Sequence, residues 1–550
     1  MFCNNCFDIW DKNLHNTGVQ RRHQVIKWYK ILRNLYHDGA TIKQFTGAPL
    51  WCPVFLKTKG KIMSENTSMS TNELTARLQK AENIRARDGV VWKDKFDRTH
   101  TIESARELAD GTPVRLCGRI TALRWLGKLM FGRIYDINGE IQFSMSREEL
   151  GEENYKFMKT NVDMGDFIGI TGELYHTTAG ELTVRVAKYD ILAKALRPLP
   201  EKFHGLTDME TRYRQRYLDI ISNPDARNAL LGRFKMTQHL REFMNDNGFL
   251  EIETPIMQNI ASGAAARPFT THHNALNADF QLRISPELFL KEAIGAGFDR
   301  VYEVAKDFRN EGMDAMHLQE FTMIEWYAAY WDYKRNIQFT WDLVQNLIKR
   351  ARGTLQIEYQ GTKLDFSKYE MMDYTAKMNE LFGCNILDFD DVNVLRQKLV
   401  DEGMFPMSEL EDLKSLATLV DYVYKRKIRG SIVQPTFLYN YPTYMVPLAR
   451  RNDEDVRRLD MYQLLVCGGE LCKGYSELVN PIQQLAAFEE QARDIANGEE
   501  EAFNPDNDFV RAMEHGFPPI SGVGMGIDRL TMIVFDQPTA RDVVLFPIMK

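Results

Sequence analysis

Near its C-terminus the chain reads Gly522-Val523-Gly524-Met525-Gly526-Ile527-Asp528-Arg529-Leu530, with the apolar run Leu530 to Phe535 closing the segment. Glycines at alternate positions let a main chain lie against a flat or charged ligand with no Cβ in the way, and an arginine just after them can fork onto a phosphate. The functional reading is a nucleotide site. The plain one is a tight glycine-rich strand and turn, with Arg529 a surface charge. The dinucleotide fingerprint is excluded, because Gly-x-Gly-x-x-Gly needs a glycine where Ile527 stands, and no Gly-x-x-x-x-Gly-Lys-Ser/Thr loop occurs in the chain.

A length of 550 residues provides for roughly two to four domains with ample core. With 44% hydrophobic and 26% charged residues, the composition is that of a globular chain and excludes a fibre or a disordered one. The net charge of −7 offers no global basic face, so contact with nucleic acid has to come from a local patch. Seven cysteines, odd in number and without framework spacing, indicate a reducing cytoplasm. Cys3 and Cys6 form a lone Cys-x-x-Cys with no second pair, too little for a zinc site. No apolar run reaches membrane-spanning length, so no membrane partner is expected.

Residues 1–62 are aromatic, basic and free of glutamate, and the composition changes sharply at Met63, which reads as a second start after a dispensable or misassigned extension. Leu74, Leu78, Ala81 and Ile84 predict an amphipathic helix within an N-terminal segment, 63–110. Over 111–195, short alternating runs at Val114 to Ile120, Phe131 to Asp136, Glu140 to Met145, Phe167 to Leu174 and Leu182 to Tyr189 predict five strands. Asn138-Gly139 is a hairpin signal between the second and third. Five short strands suggest the oligonucleotide-binding (OB) barrel. Arg119, Phe131 and Gln142 on successive strands would offer a cation, a stacking platform and an amide to splayed bases, or else are ordinary barrel residues.

A charged linker is expected over 196–220. A larger domain then spans 221–550, with a mostly helical insertion at about 335–430 that shows no recognisable chemistry. A long helix is predicted from Asp225 to Asn245, with Leu230, Phe234, Leu240, Phe243 and Met244 on one side, followed by a strand from Phe249 that Pro255 stops. Tyr439 to Leu448, Met461 to Leu471 and Val523 to Phe535 complete a strand-rich remainder. The fold class is therefore α+β, built on an antiparallel sheet. Phe308-Arg309-Asn310-Glu311-Gly312 and His317-Leu318-Gln319-Glu320-Phe321 form a second dense cluster. Its guanidinium can clamp a phosphate and a carboxylate, its glutamate can accept from an exocyclic amine, and a phenylalanine face can cover a purine. Those are the parts of an adenylate-forming site, and Glu470 is a candidate magnesium ligand.

These residues resemble the class II lysyl-tRNA synthetases. Gly248 to Pro255, Phe308 to Phe321 and Gly524 to Leu530 match the three class motifs, and Ala264 to Leu276, Leu282 to Lys291 and Gly474 to Leu478 look like the lysine members in particular. The resemblance runs from about residue 72 to the C-terminus. It implies a class II catalytic domain preceded by an OB-fold anticodon-binding domain, in a homodimer that joins L-lysine to tRNA(Lys) through a lysyl-adenylate made from ATP with Mg2+. It further implies that Arg309 and Arg529 are catalytic, and that Arg309, Glu311, His317, Phe321, Arg529, Gly524 and Gly526 bind ATP. Glu287, Arg309, Tyr327, Tyr475 and Glu477 would bind lysine, Glu470 and Gln463 the metal, and Arg119, Phe131 and Gln142 the anticodon. A buried carboxylate is a sensible partner for a terminal ammonium, and Glu477 is expected to meet it unmasked.

The chain also departs from the family. Met316 and Leu318 flank His317 where an arginine and an asparagine are usual, Gln463 stands where a second metal-binding glutamate is expected, and Lys473 replaces a neutral asparagine. Both of the last two changes make the pocket less negative. From sequence, Lys473 can face either the phosphates or Glu477. The alternative function is a tRNA- or ATP-binding paralogue with weakened amino-acid activation; an aspartyl or asparaginyl enzyme would need a cation where Glu477 sits.

Overall fold

The computed structural model describes residues 71–200, 206–496 and 505–549. The expectations for residues 1–62, Met63 and the Cys3–Cys6 pair lie outside them. Contacts divide the chain into two compact units that part between Pro198 and Leu199.

The first unit opens with helix α1 (Thr71–Asp88), which buries Ala81 and Ile84, and continues into strands β1 (Pro113–Leu126), β2 (Leu129–Asp136), β3 (Gly139–Ser146), β4 (Phe167–His176) and β5 (Leu182–Ala193). They close into a barrel in the order β1-β2-β3-β5-β4. Asp136 pairs with Gly139 across the tight turn that Asn138-Gly139 announces. Alternate residues point inward: Leu116, Ile120, Met130, Ile134, Phe143, Ile168 and Val184 are fully buried. Gly132 is required inside, since a Cβ there would sit 2.3 Å from the Phe143 ring.

The second unit is built on an eight-stranded sheet. Helix α2 (Pro224–Asp246) starts under the cap of Asn223, whose side chain accepts from the Asp225 and Ala226 amides, and ends before Gly248 in the left-handed region. Its buried stripe is Ala226, Ala229, Leu230, Arg233, Met236, Leu240 and Met244. Phe234, expected on that stripe, is instead 48% exposed. The strand expected from Phe249 is only β6 (Leu250–Glu251). Next come helix α3 (Glu287–Gly295), strands β7 (Arg300–Phe308) and β8 (Glu320–Ala329), and helix α4 (Tyr333–Arg352), capped by Asp332 and stopped at Gly353.

The insertion is mostly helical, but a hairpin, Gln356–Tyr359 with Thr362–Asp365, and strand β9 (Glu370–Asp373) stand between α4 and its later helices. Strands β10 (Thr436–Pro442), β11 (Arg458–Val466), β12 (Gly469–Ser476) and β13 (Ile520–Gly526) complete the sheet, in the order β9-β10-β11-β12-β13-β8-β7-β6. Pairing is antiparallel except at its two edges, where β9 joins β10 and β6 joins β7 in parallel. The Leu530 to Phe535 run is not strand but helix α5 (Ile527–Val534); a short apolar run does not reveal its own period. Arg216, in the expected linker, is buried and donates to Asp219 and to the Val544 carbonyl.

Strand alternation splits the sheet chemically. Tyr302, Ile324, Trp326, Tyr462, Leu464, Val523 and Met525 face one way and form a core with Met236 and Leu240 of α2 and Ile337, Leu343 and Val344 of α4. Their neighbours in sequence, among them Glu325, Tyr327, Gln463 and the glycines 522, 524 and 526, face the other way and carry the site.

Candidate active site

The polar face is ordered in rows. Met461, Tyr475, Gly522 and Tyr327 lie side by side on β11, β12, β13 and β8; the next row is Gln463, Lys473, Gly524 and Glu325. The three glycines of β13 thus form a strip of bare backbone along the middle of this face. At Gly522 the space is already taken, since a Cβ would lie 2.1 Å from the Tyr327 ring and 2.6 Å from a Glu477 carboxylate oxygen, whereas at Gly526 nothing comes closer than 3.8 Å. A bulge in β12 at Leu471 matters equally. Glu470, three residues from Lys473, would face the opposite way on a regular strand, but the bulge pairs it with Leu465 and turns it to the site face.

At one end lies a buried charge cluster. The Lys291 ammonium on α3 sits 2.6 Å from Glu287 Oε1 and 2.5 Å from Glu477 Oε2, and the Tyr475 hydroxyl donates to Glu287 Oε1 at 2.6 Å. Glu325 accepts from Ser285 Oγ at 2.7 Å and from the Tyr327 hydroxyl at 3.0 Å. Burial, then the nearby Glu287 and Asp307, push the Glu325 carboxyl up to about 8, and burial also drives Glu477 well above the usual range against the pull of Lys291. For Lys291, burial alone would lower the ammonium, but Glu287 and Glu477 outweigh it and its pKa is raised. Glu287 and Glu477 therefore share one ammonium, while Glu325 is held by two hydroxyls. Glu477 is not unmasked as expected, and its partner is Lys291 rather than Lys473: a carboxylate this buried cannot stay charged alone, and α3 supplies the nearest cation.

At the other end a cavity of about 680 Å³ is lined by Arg309, Glu311, His317, Gln463, Glu470, Lys473 and Arg529, among others, and by Tyr424 and Lys425 of the insertion, which thus does border the site. The Arg309 guanidinium lies over the Phe321 ring, 5.0 Å from its centre, and its Nε is buried with no hydrogen-bond partner. Glu311 accepts from the Arg267 amide at 3.3 Å. The Arg529 guanidinium donates to His317 Nε2 at 2.8 Å, so that nitrogen is the acceptor and Nδ1 carries the proton, which it gives to Asp314 at 2.8 Å. Arg529 also holds the Glu470 carbonyl at 2.9 Å.

A chain of hydrogen bonds sets the remaining wall: the Tyr441 hydroxyl donates to Gln463 Oε1 at 2.6 Å, and Gln463 Nε2 donates to Glu470 Oε2 at 2.7 Å. A carboxylate only accepts, so the amide has no other orientation here. Among the described residues no group of three or more His, Cys, Asp or Glu is placed to hold a metal.

Glu287, Tyr327, Tyr475 and Glu477 thus converge in the cluster, and Arg309, Glu311, His317, Phe321, Gln463, Glu470 and Arg529 gather at or beside the cavity. The sequence reading passed over Lys291, Glu325, Ser285 and Tyr441. Lys291 follows Glu287 by four residues on a helix, and Glu325 precedes Tyr327 by two on a strand, so both shared a face with a chosen residue. Ser285 and Tyr441 gave no such signal.

In the first unit, Arg119, Phe131 and Gln142 all lie on the outward face of β1, β2 and β3, in adjoining rows. Phe131 is half-buried. Arg119 donates to the Gly165 carbonyl at 3.0 Å and stacks over Phe167, and Gln142 donates to Thr183 at 2.9 Å.

Residues 208–550 match the family model of class II tRNA synthetases (D, K and N), and residues 114–192 that of the OB-fold nucleic acid binding domain. Among curated relatives, the lysine–tRNA ligase of Aquifex aeolicus is 43% identical over 80% of this chain and 73% of its own length. That of Carboxydothermus hydrogenoformans is 41% identical over 87% and 98%, and that of Staphylococcus aureus 39% over 83% and 92%. With the glycine strip, the Arg309–Phe321 pair and the barrel in one chain, the protein belongs to the class II tRNA synthetases of the D, K and N group.

Proposed function

We propose that this enzyme ligates L-lysine to tRNA(Lys) through a lysyl-adenylate, releasing AMP and diphosphate. The observation that carries the amino-acid choice is the make-up of the buried cluster: Glu287 and Glu477 share the one ammonium of Lys291, Glu325 lies on Ser285 and Tyr327, and free lysine brings two ammonium groups to these three carboxyls. A neutral side chain would bring these carboxyls no cation, and aspartate or asparagine would need a cation at Glu477. These side chains are almost closed to solvent, so lysine enters by competing with Lys291 for the carboxylates.

Arg309, with an unpartnered buried N–H, binds the α-phosphate and the lysine carboxylate; Phe321 covers the adenine and Glu311 accepts from its amine. His317 and Arg529 take the outer phosphates, and the open backbone at Gly526, with Gly524 beside it under Met323, is where the main chain meets the nucleotide. The carboxylate of lysine is already a nucleophile, so catalysis here is positioning and charge neutralisation. Glu470 keeps one oxygen outside its bond to Gln463, which suits a magnesium ion that arrives on ATP and keeps mostly water and phosphate ligands. Such an ion would supply positive charge to the phosphates; Gln463, its oxygen accepting from Tyr441, adds no negative charge to hold it.

On the barrel, Arg119, Phe131 and Gln142 read the anticodon. The exposed apolar residues Phe234, Leu250, Ile256, Met257 and Ile260, at and beside the β6 edge, support a homodimer. Exchange of labelled pyrophosphate into ATP that depends on lysine, together with lysine transfer to tRNA(Lys), tests the assignment. Exchange that ignores lysine contradicts it.

A further inference from the structure

Lys473 stands in the row between Gln463 and Gly524, half-buried, on the same face as Glu470. Among the described residues no hydrogen bond or ion pair holds its ammonium. The nearby anions are engaged elsewhere: Glu470 by the Gln463 amide, and Glu477 by Lys291. Lys473 lines the same cavity as Arg309, His317 and Arg529. Holding a partly desolvated cation without a counter-ion beside two guanidinium groups costs free energy unless an anion arrives to collect it. A polyphosphate is an anion of the right kind. Gln463, locked between Tyr441 and Glu470, contributes no negative charge, so the wall that carries Lys473 has one carboxylate for a metal and one built-in ammonium.

We propose that Lys473 is a catalytic residue, whose ammonium binds the phosphates of ATP and supplies the positive charge that a further divalent ion would otherwise bring. The proposal rests on the adenylate-forming reading above. In that step a carboxylate oxygen of lysine forms a bond to the α-phosphorus, and the bond from that phosphorus to the bridging oxygen breaks. The electron pair of the broken bond leaves on pyrophosphate. Lys473 meets the charge that builds there and exchanges no proton.

Calorimetric titration of the full-length enzyme tests this by binding alone, with ATP in EDTA and, separately, with lysine. Lys473→Asn should weaken metal-free ATP binding by about tenfold or more, and Lys473→Arg should stay within about threefold of wild type, because a charge-assisted hydrogen bond is at stake. Lysine affinity should not move in either variant. Manganese counted by electron paramagnetic resonance, with ATP bound, should rise by one ion per site in the double variant Gln463→Glu, Lys473→Asn. Unchanged metal-free ATP binding in Lys473→Asn overturns the proposal. So does a parallel loss of lysine affinity, which marks a structural role, and so does an equal manganese count. Failure of the functional reading shows separately, as wild-type enzyme without lysine-dependent exchange.

Discussion

Lys291 and Glu477 set the terms at the scale of single residues. The carboxylate of Glu477 was legible from the Gly474 to Leu478 match, but its counter-ion was not, because Lys291 and Glu477 are distant in sequence and only the fold joins them. Glu477→Gln should raise the lysine KM by about tenfold or more in pyrophosphate exchange while thermal unfolding shows a folded protein, because Lys291 keeps Glu287. An unchanged KM places lysine elsewhere. The cluster also makes binding depend on pH. In the free enzyme the Glu325 carboxyl, raised to about 8, carries a proton at pH 7, and an arriving ammonium favours its ionised form. Lysine binding at pH 7 should therefore release protons, and affinity should climb as pH rises and level off above about 8. Titrations in buffers of different ionisation enthalpy count those protons; uptake instead of release contradicts the assignment.

Secondary elements decide which of these residues meet. The alternation of glycines at 522, 524 and 526 could be read directly, and as a strand it becomes the floor of the site. The bulge at Leu471 could not be read, yet it turns Glu470 to the same face as Lys473. The helix α5 and the strands inside the insertion were also hidden, since short apolar runs and mixed propensities take their conformation from tertiary packing. The strip predicts a contrast between neighbours. Gly522→Ala pushes a methyl into Tyr327 and Glu477 and should cost about 1–3 kcal/mol of stability along with a higher lysine KM. Gly526→Ala meets nothing closer than 3.8 Å and should fold as stably as wild type, any loss appearing in the ATP KM. Equal melting temperatures for the two variants would refute this account of the strip.

Over the whole molecule, two compact units divide the labour, and a chain of net charge −7 confines its nucleic-acid contact to local surface. The barrel was legible because five alternating runs and one Asn-Gly turn leave few other solutions. Phe131→Ala should weaken tRNA charging by about 1–3 kcal/mol while leaving pyrophosphate exchange intact. Equal loss in both assays would show that the barrel face does not act on tRNA alone. What the whole enzyme must do is choose an amino acid, and the account places that choice in a buried cluster of three carboxyls and one ammonium. The most direct test is exchange with lysine against norleucine, the same chain without its terminal ammonium. The account predicts a kcat/KM lower by about ten-thousandfold or more for norleucine; values within about tenfold of each other would contradict it.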